Sequence, residues 1–325
     1  MRTHPDETSV RVRFWGVRGS VPVPGPGTVR YGGNTSCVEV ESPAGTRVII
    51  DAGTGLRRLG KQLVKGEFAE GKGQAHILIS HTHWDHIQGL PFFAPLYQAG
   101  NKLTIYARKR DDLRLRTVLA GQAEAPFFPV AFEEARADLD FAELPDGQRF
   151  AIADIKVTTA RLNHPYVATA YALQAGGRKV AYVSDTAPFE QILFGEEFIA
   201  KAPAPGTVLS HGDQVKLAAM RDDVVRLCEG ADLVIYDTMF TDADYQRVPH
   251  FGHSRPMDAI AICQQAGVRR LALFHHAPER SDDEVDKMRD EARVLAAAQA
   301  PGLEVLAAFE GLDIGLSAAA RPAIQ

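Results

Sequence analysis

The chain has 325 residues, 45% of them hydrophobic and 24% charged, with a formal net charge of −5. A core of good size is available, while a mildly acidic chain has no general attraction for polyanions. No run of 18 apolar residues occurs, which excludes a membrane-spanning helix, and the three scattered cysteines (Cys37, Cys228, Cys263) exclude a disulfide framework and a cysteine-bound zinc.

The opening MRTHPDETSV is polar and lacks the apolar stretch of a secretory signal, so the expected location is the cytoplasm. RVRFWGVRGS alternates and then breaks at glycine, as a strand entering a loop does. VPVPGPG fits neither helix nor sheet interior and is a loop. TSCVEVES and TRVIIDAG read as two strands around a turn at PAG. QAHILIS is a buried strand that runs straight into SHTHWDHIQG, and KLTIYA is a further strand. Residues 107–150 are mixed and charged and read as helix and loop, with APFFPVAF an aromatic patch. IKVTTARL leads to His164. ATAYALQ and RKVAYVSD follow as strands, the second ending at Asp185, and ADLVIYD ends at Asp237. SRPMDAIAICQQAG has helical apolar spacing closed by a glycine. VRRLALFHH is a strand reaching His275, and SDDEVDKMRDEARVLAAAQA is an amphipathic helix opened by a Ser-x-x-Glu capping box. The expected organisation is a flexible tail at 1–10, one domain at 11–316 and a tail at 317–325. The order of elements predicts two mixed sheets with helices outside.

Five of these strands end on or beside a His or an Asp. Strand ends lie along one rim of a sheet, so residues far apart in the chain can meet there. The densest group is His81, His83, Asp85 and His86. A His-x-His pair in a loop can direct two imidazoles at one metal ion, with Asp85 and His86 turned to a second. Imidazole and carboxylate suit zinc, manganese or iron. Two ions about 3.5–4 Å apart can hold a hydroxide between them and clamp the oxygens of an ester. Four ligands cannot fill two shells, and His164, Asp185 and His275 are the strand-end candidates to complete them. Standing alone, Asp51 in Asp-Ala-Gly is an ordinary turn residue.

HTHWDHIQGL resembles the His-x-His-x-Asp-His signature of the metallo-β-lactamase superfamily. VIIDAGTG, NHPYVATAYAL, VAYVSDT and LALFHHAPER are similar to its other motifs, in its order, over residues 12 to about 290. The resemblance implies an α/β fold, an αββα sandwich of two mixed sheets flanked by helices, with a binuclear site on one edge. It implies that His81, His83 and His164 bind one divalent ion and Asp85, His86 and His275 another. Asp185 would bridge them, and Asp51 would support a ligand histidine from behind. His275 is preferred to the adjacent His276, because in similar sequences the ligand comes first after the apolar run.

An aspartate at 185, where true β-lactamases of this fold usually place cysteine, is more like phosphodiesterases, glyoxalases and lactonases. YDTMF and FGHS, at 236–254, resemble the Glu-Ala-Thr-Phe and His-Ser-Thr elements of ribonuclease Z. Carried over, His253 acts at the leaving group and Asp237 supports it; the departures are Asp at 237 and Arg at 255. The plain alternative for His253 is an exposed histidine beside a helix start. Ribonuclease Z itself inserts a tRNA-binding arm between its third and fourth motifs; here only residues 165–184 stand there, so no such arm is expected. The implied activity is a metal-bridging hydroxide's hydrolysis of a small or cyclic nucleotide-type phosphodiester, with Asp85, His253 and Asp237 as the catalytic set. The alternatives are a carboxylic ester, lactone or thioester hydrolase, and a silent binding protein of the same fold. Arg18 and Arg30, in a glycine-rich loop, either line a phosphate pocket or are structural. Trp84 either stacks on a base or packs under the metal loop. Phe127–Phe128 and the LPFF run at 90–93 are candidates for the cleft border or a homodimer contact, with core packing favoured for LPFF.

Overall fold

The computed structural model of the chain describes residues 9–317 except Phe198 and Pro205. The expected tails at 1–10 and 317–325 therefore lie outside the described residues apart from their inner ends, and Val10 already belongs to the first strand. In chain order the strands are β1 (Val10–Gly16), β2 (Cys37–Glu41), β3 (Arg47–Ile50), β4 (Gln74–Leu78), β5 (Lys102–Arg108), β6 (Asp138–Leu144) and β7 (Arg149–Ile152). They continue as β8 (Ile155–Arg161), β9 (Thr169–Ala175), β10 (Arg178–Val183), β11 (Leu233–Asp237), β12 (Arg270–Phe274), β13 (Glu304–Ala307) and β14 (Asp313–Leu316). The α-helices are α1 (Gly55–Leu63), α2 (Trp84–Ile87), α3 (Leu115–Gly121), α4 (His211–Cys228), α5 (Asp242–Arg247), α6 (Pro256–Gln265) and α7 (Asp282–Gln299).

Two seven-stranded sheets result, ordered β14-β1-β2-β3-β4-β5-β6 and β13-β12-β11-β10-β9-β8-β7. Both are mixed. β3 through β6 run parallel to one another, as do β10 through β13, and the other neighbours are antiparallel. The alternation in β1 shows why the sheets face each other. Val10, Val12 and Phe14 are buried while Arg11, Arg13 and Trp15 are half-buried, which is the period-2 pattern of a strand with one face on a core. Phe14, Tyr182 and Phe274 fill that central layer from both sheets, with Tyr182 and Phe274 ring centroids 5.6 Å apart. Helix α1 covers the outer face of the first sheet, and α4, α6 and α7 cover the outer face of the second. The architecture is the four-layer αββα sandwich. Among the described residues no helix is long and apolar enough to cross a membrane.

The 107–150 segment is not simply helix and loop. It carries α3, but also β6 and β7. β6, DLDFAEL, is an edge strand pairing in parallel with β5, exposed or half-buried along its length. Its acidic residues suit an exposed edge and mask the apolar alternation that would mark a strand. Helix α4 went unread for a similar reason, since only Leu217, Val224, Leu227 and Cys228 of its 18 residues are buried.

Candidate metal centre

The C-terminal ends of β3, β4, β8, β10, β11 and β12 deliver Asp51, His81, His164, Asp185, Asp237 and His275 to one edge of the sandwich. Three of these residues leave their strands in the left-handed region: Asp51 at φ 62°, Asp185 at 61° and His275 at 62°. A residue with a side chain costs of order 1–3 kcal/mol there, and such strain persists only where surrounding contacts hold it. Those contacts also join the sheets. Tyr171 Oη donates to the Ile79 carbonyl, Tyr182 Oη donates to Asp51 Oδ2, both at 2.7 Å, and the Thr169 amide donates to the Ser80 carbonyl at 2.9 Å.

Four overlapping groups of ligand-type atoms converge at this edge: His81/His83/His164, Asp85/His86/Asp185/His275, His164/Asp185/His253 and Asp237/His253/His275, of which the first two share no residue. In the first, His83 Nδ1 lies 2.9 Å from His81 Nε2 and 3.1 Å from His164 Nε2. Two nitrogens on one tetrahedral zinc at about 2.0–2.1 Å stand roughly 3.3 Å apart, so the spacing matches a shared ion. In the second group, Asp85 Oδ2 is 3.1 Å from His275 Nε2 and 3.3 Å from His86 Nε2. Asp185 lies between them. Its Oδ2 is 3.7 Å from both His81 Nε2 and His164 Nε2, while its Oδ1 is 3.2 Å from His86 Nε2 and 3.3 Å from His275 Nε2. One carboxylate thus turns one oxygen to each of these two groups.

In His86 and His164 the inward ring nitrogen is free to ligate because the other is occupied. His86 Nδ1 donates to Asp51 Oδ2 at 2.7 Å, and Asp51 also accepts from the amide and hydroxyl of Ser80. That leaves His86 Nε2 buried without a hydrogen-bond partner, as a metal ligand would be. His164 Nδ1 donates to the Gly252 carbonyl at 2.8 Å, aiming Nε2 at the cluster. Burial holds the imidazoles of His81 and His83 below their ordinary pKa, and that of His164 down to about 3, so they are neutral donors. His86 differs. Burial opposes its charge, but Asp185, Asp85 and Asp51 outweigh burial and raise its pKa well above the usual value. The three carboxylates around His86 thus favour positive charge at this point. The donor set fits divalent metal.

Beside the first two groups lies a dyad. His253 Nδ1 donates to Asp237 Oδ2 at 2.9 Å, and Asp237 also accepts from the amides of Met239 and Thr186. His253 is buried rather than an exposed residue at a helix start, with its ring stacked 5.1 Å from that of His275 and tilted 5.4 Å from that of His164. Burial disfavours its charge, yet Asp237, by charge and hydrogen bond, raises its pKa above the ordinary value. His276 faces away from the cluster. Its Nε2 donates to the Ala308 carbonyl at 2.8 Å and its ring edge meets Tyr31.

Three supports at the site were missed in the sequence. The Ser20 amide donates to Asp85 Oδ2 at 2.7 Å. A Cβ at Gly19 would lie 2.5 Å from the His275 ring, so the loop packs on that ligand only because residue 19 is glycine. A Cβ at Gly252, whose φ is 83°, would lie 2.7 Å from the His164 ring. The Arg-Gly-Ser and Gly-His-Ser glycines were visible, but nothing local says what they touch. The phosphate pocket considered for Arg18 and Arg30 does not form. Arg18 is fully buried and donates to the carbonyls of Gly32, Ala277 and Arg280. Arg30 pairs with Asp283 and Asp286 on α7. Trp84 is 71% exposed and does not pack under the metal loop. In LPFF, Leu90, Pro91 and Phe93 are core residues, while Phe92 is exposed and meets Phe128 edge to face.

Residues 46–204 match the family model described as the beta-lactamase superfamily domain. The ribonuclease Z of Natronomonas pharaonis is 29% identical over 301 residues, covering 85% of this chain and 89% of that protein. Among solved structures, the metallo-beta-lactamase fold protein YhfI from Bacillus subtilis aligns with a TM-score of 0.63 at 18% identity, covering 94% of this chain and 99% of that one. Human tRNase Z, short form, aligns with a TM-score of 0.59 at 21% identity, covering 94% and 98%. The two structures establish a common fold.

Proposed function

Because this chain is a metal-dependent hydrolase of the metallo-β-lactamase fold related to ribonuclease Z, we propose that it cleaves a small or cyclic nucleotide-type phosphodiester in the cytoplasm. His81, His83 and His164 would hold one divalent ion, Asp85, His86 and His275 a second, and Asp185 both; zinc suits these donors best. When bound, the ions supply Lewis acidity toward the phosphoryl oxygens and toward water. The chain's own residues do the rest. Asp51 fixes the His86 ring by its hydrogen bond, and the Gly252 carbonyl fixes that of His164. Ser20 anchors Asp85 through a backbone donor that cannot rotate away.

One observation carries the reading: the His253–Asp237 pair at 2.9 Å, beside the seven ligand-type residues, with the His253 ring stacked on that of His275 and tilted against that of His164. A ribose alkoxide is a poor leaving group and needs a proton as its bond to phosphorus breaks. His253, charged against Asp237, holds that proton at Nε2, the nitrogen that Asp237 does not occupy. An acyl transfer from a thioester makes no such demand. The preference for a small substrate rests on the short connection from His164 to Asp185, which is only the β9–β10 hairpin turning at Gly176–Gly177.

The test is a substrate panel on protein of measured metal content. Bis-p-nitrophenyl phosphate, cyclic nucleotides and dinucleoside monophosphates should be hydrolysed, and lactones and glutathione thioesters should not. Faster turnover of a thioester or lactone than of every diester would refute the phosphodiester assignment. A large preference for a long RNA over the small diesters would refute the small-substrate assignment.

A further inference from the structure

A cavity of about 640 Å³ opens beside the metal centre on the His253 side. Three residues of its wall touch the site directly. Ser20 donates its amide to Asp85, Met239 donates its amide to Asp237, and the Phe240 ring lies edge-on 5.4 Å from that of His253. The cavity therefore adjoins the site through Ser20, Met239 and Phe240.

The wall is apolar near the site and charged farther out. Val21 and Phe251 are 49% and 53% exposed, and both face the cavity along with Met239 and Phe240. These surfaces suit a flat or puckered ring system, and the volume falls in the range of about 300–1,000 Å³ for small-molecule pockets. Of the three cations on the outer wall, Arg280 and Arg247 are held by partners and Lys287 stays exposed. Arg280 donates to the Met239 carbonyl at 3.0 Å and to Asp244 at 3.0 Å, Arg247 pairs with the same Asp244, and Lys287 is 3.9 Å from Glu291. Glu279 is exposed on this wall, and its carboxylate has no partner among the described residues. The wall carries four carboxylates (Asp244, Glu279, Glu284 and Glu291) to three cations, so a second phosphate placed here enters a net negative lining.

We propose that this cavity binds the leaving group as one uncharged unit of nucleoside size and discriminates against a leaving group carrying a further phosphate. The inference rests on the phosphodiester reading and adds a substrate class to it: diesters that end at the leaving nucleoside, as against continuing chains. Phe251 and Glu279 are then specificity residues, the first by contact with the ring and the second by repelling added charge.

The experiment uses the metal-loaded, full-length chain and thymidylyl-thymidine. Product analysis identifies the leaving nucleoside, and the same dinucleotide phosphorylated on that nucleoside is then compared. We expect kcat/KM to fall at least tenfold on adding the phosphate, and Glu279→Gln to recover threefold or more of that loss. Phe251→Ala should raise KM for the unphosphorylated dinucleotide about tenfold with kcat and metal content little changed, and Phe251→Tyr should restore it. Equal or faster cleavage of the phosphorylated dinucleotide would overturn the proposal. Turnover of bis-p-nitrophenyl phosphate without cleavage of thymidylyl-thymidine would also overturn it, while leaving the phosphodiester reading standing. Failure on both substrates would remove that reading and this inference together.

Discussion

His275, at φ 62°, sets its Nε2 3.1 Å from Asp85 and 3.3 Å from Asp185, while His276, one residue on, turns its Nε2 to the Ala308 carbonyl at 2.8 Å. Their substitutions should separate cleanly. His275→Ala should lose one metal equivalent by elemental analysis, and activity with it. His276→Ala should keep both metals and lose about 1–3 kcal/mol of stability, because the Ala308 carbonyl is left buried without its donor. The reverse pattern of metal loss would reverse the assignment. His253 calls for a different comparison. If it protonates the leaving oxygen, His253→Ala should slow cleavage of a ribose diester by about 10²–10⁴. It should slow a p-nitrophenyl diester much less, because that leaving group needs little protonation. Equal deficits on both substrates would make His253 a substrate-positioning group. Asp237→Asn should show a smaller loss in the same direction, since Asp237 reaches the substrate only through the imidazole.

The element that controls the site from outside is the loop after β1. Buried Arg18 pins it to three carbonyls, Gly19 then lies against the His275 ring, and Ser20 reaches Asp85. A methyl group at residue 19 must displace His275 or Met239, so Gly19→Ala should weaken metal affinity. Groups that orient ligands are typically worth about 10–100-fold in affinity, and competition with a chromophoric chelator would measure the change. Affinity within a factor of two of the parent would show that the contact relaxes without cost. Helix α7 is a contrasting case in which local sequence suffices. Ser281 accepts from the Glu284 amide, and Glu284 accepts from that of Ser281. Ser281→Ala should cost about 0.5–2 kcal/mol in denaturant unfolding, with metal content and kcat unchanged.

At the scale of the whole molecule, the candidate ligands come from both sheets. His81, His83, Asp85 and His86 follow β4 of the first, and His164, Asp185 and His275 follow β8, β10 and β12 of the second. Metal bound there ties the two sheets at one edge. A ligand that binds only the folded state stabilises it by about 4 kcal/mol at a thousandfold excess over its Kd. Chelation should therefore lower Tm by several degrees, and added zinc should restore it. A Tm indifferent to chelator, with the metal shown to be gone, would mean that the tyrosine and amide bonds between the sheets hold that edge unaided.

The amino-acid sequence by itself determined the fold class and which metal-ligand residue types could gather at one edge. His81, His83, Asp85 and His86 lie within six residues, so their proximity is covalent and needs no fold to establish it. Strands ending at Asp185 and Asp237 were legible because apolar runs stop abruptly at an acid, and α7 because its capping box is local. Tertiary structure decided what depends on contacts distant in the chain. It turned His275 inward and His276 outward, which apolar pattern cannot distinguish in adjacent residues. It buried Arg18 among carbonyls from residues 32, 277 and 280, so a cation that sequence offers to phosphate became part of the scaffold. It made a strand of acidic DLDFAEL, because β5 supplied a partner edge and the outer side faced water. It also opened the cavity beside His253, whose walls come from the β1–β2 loop, the chain after β11, the connection after β12 and helix α7. No local pattern records that meeting, because the packing of two sheets and their helices brings those segments together.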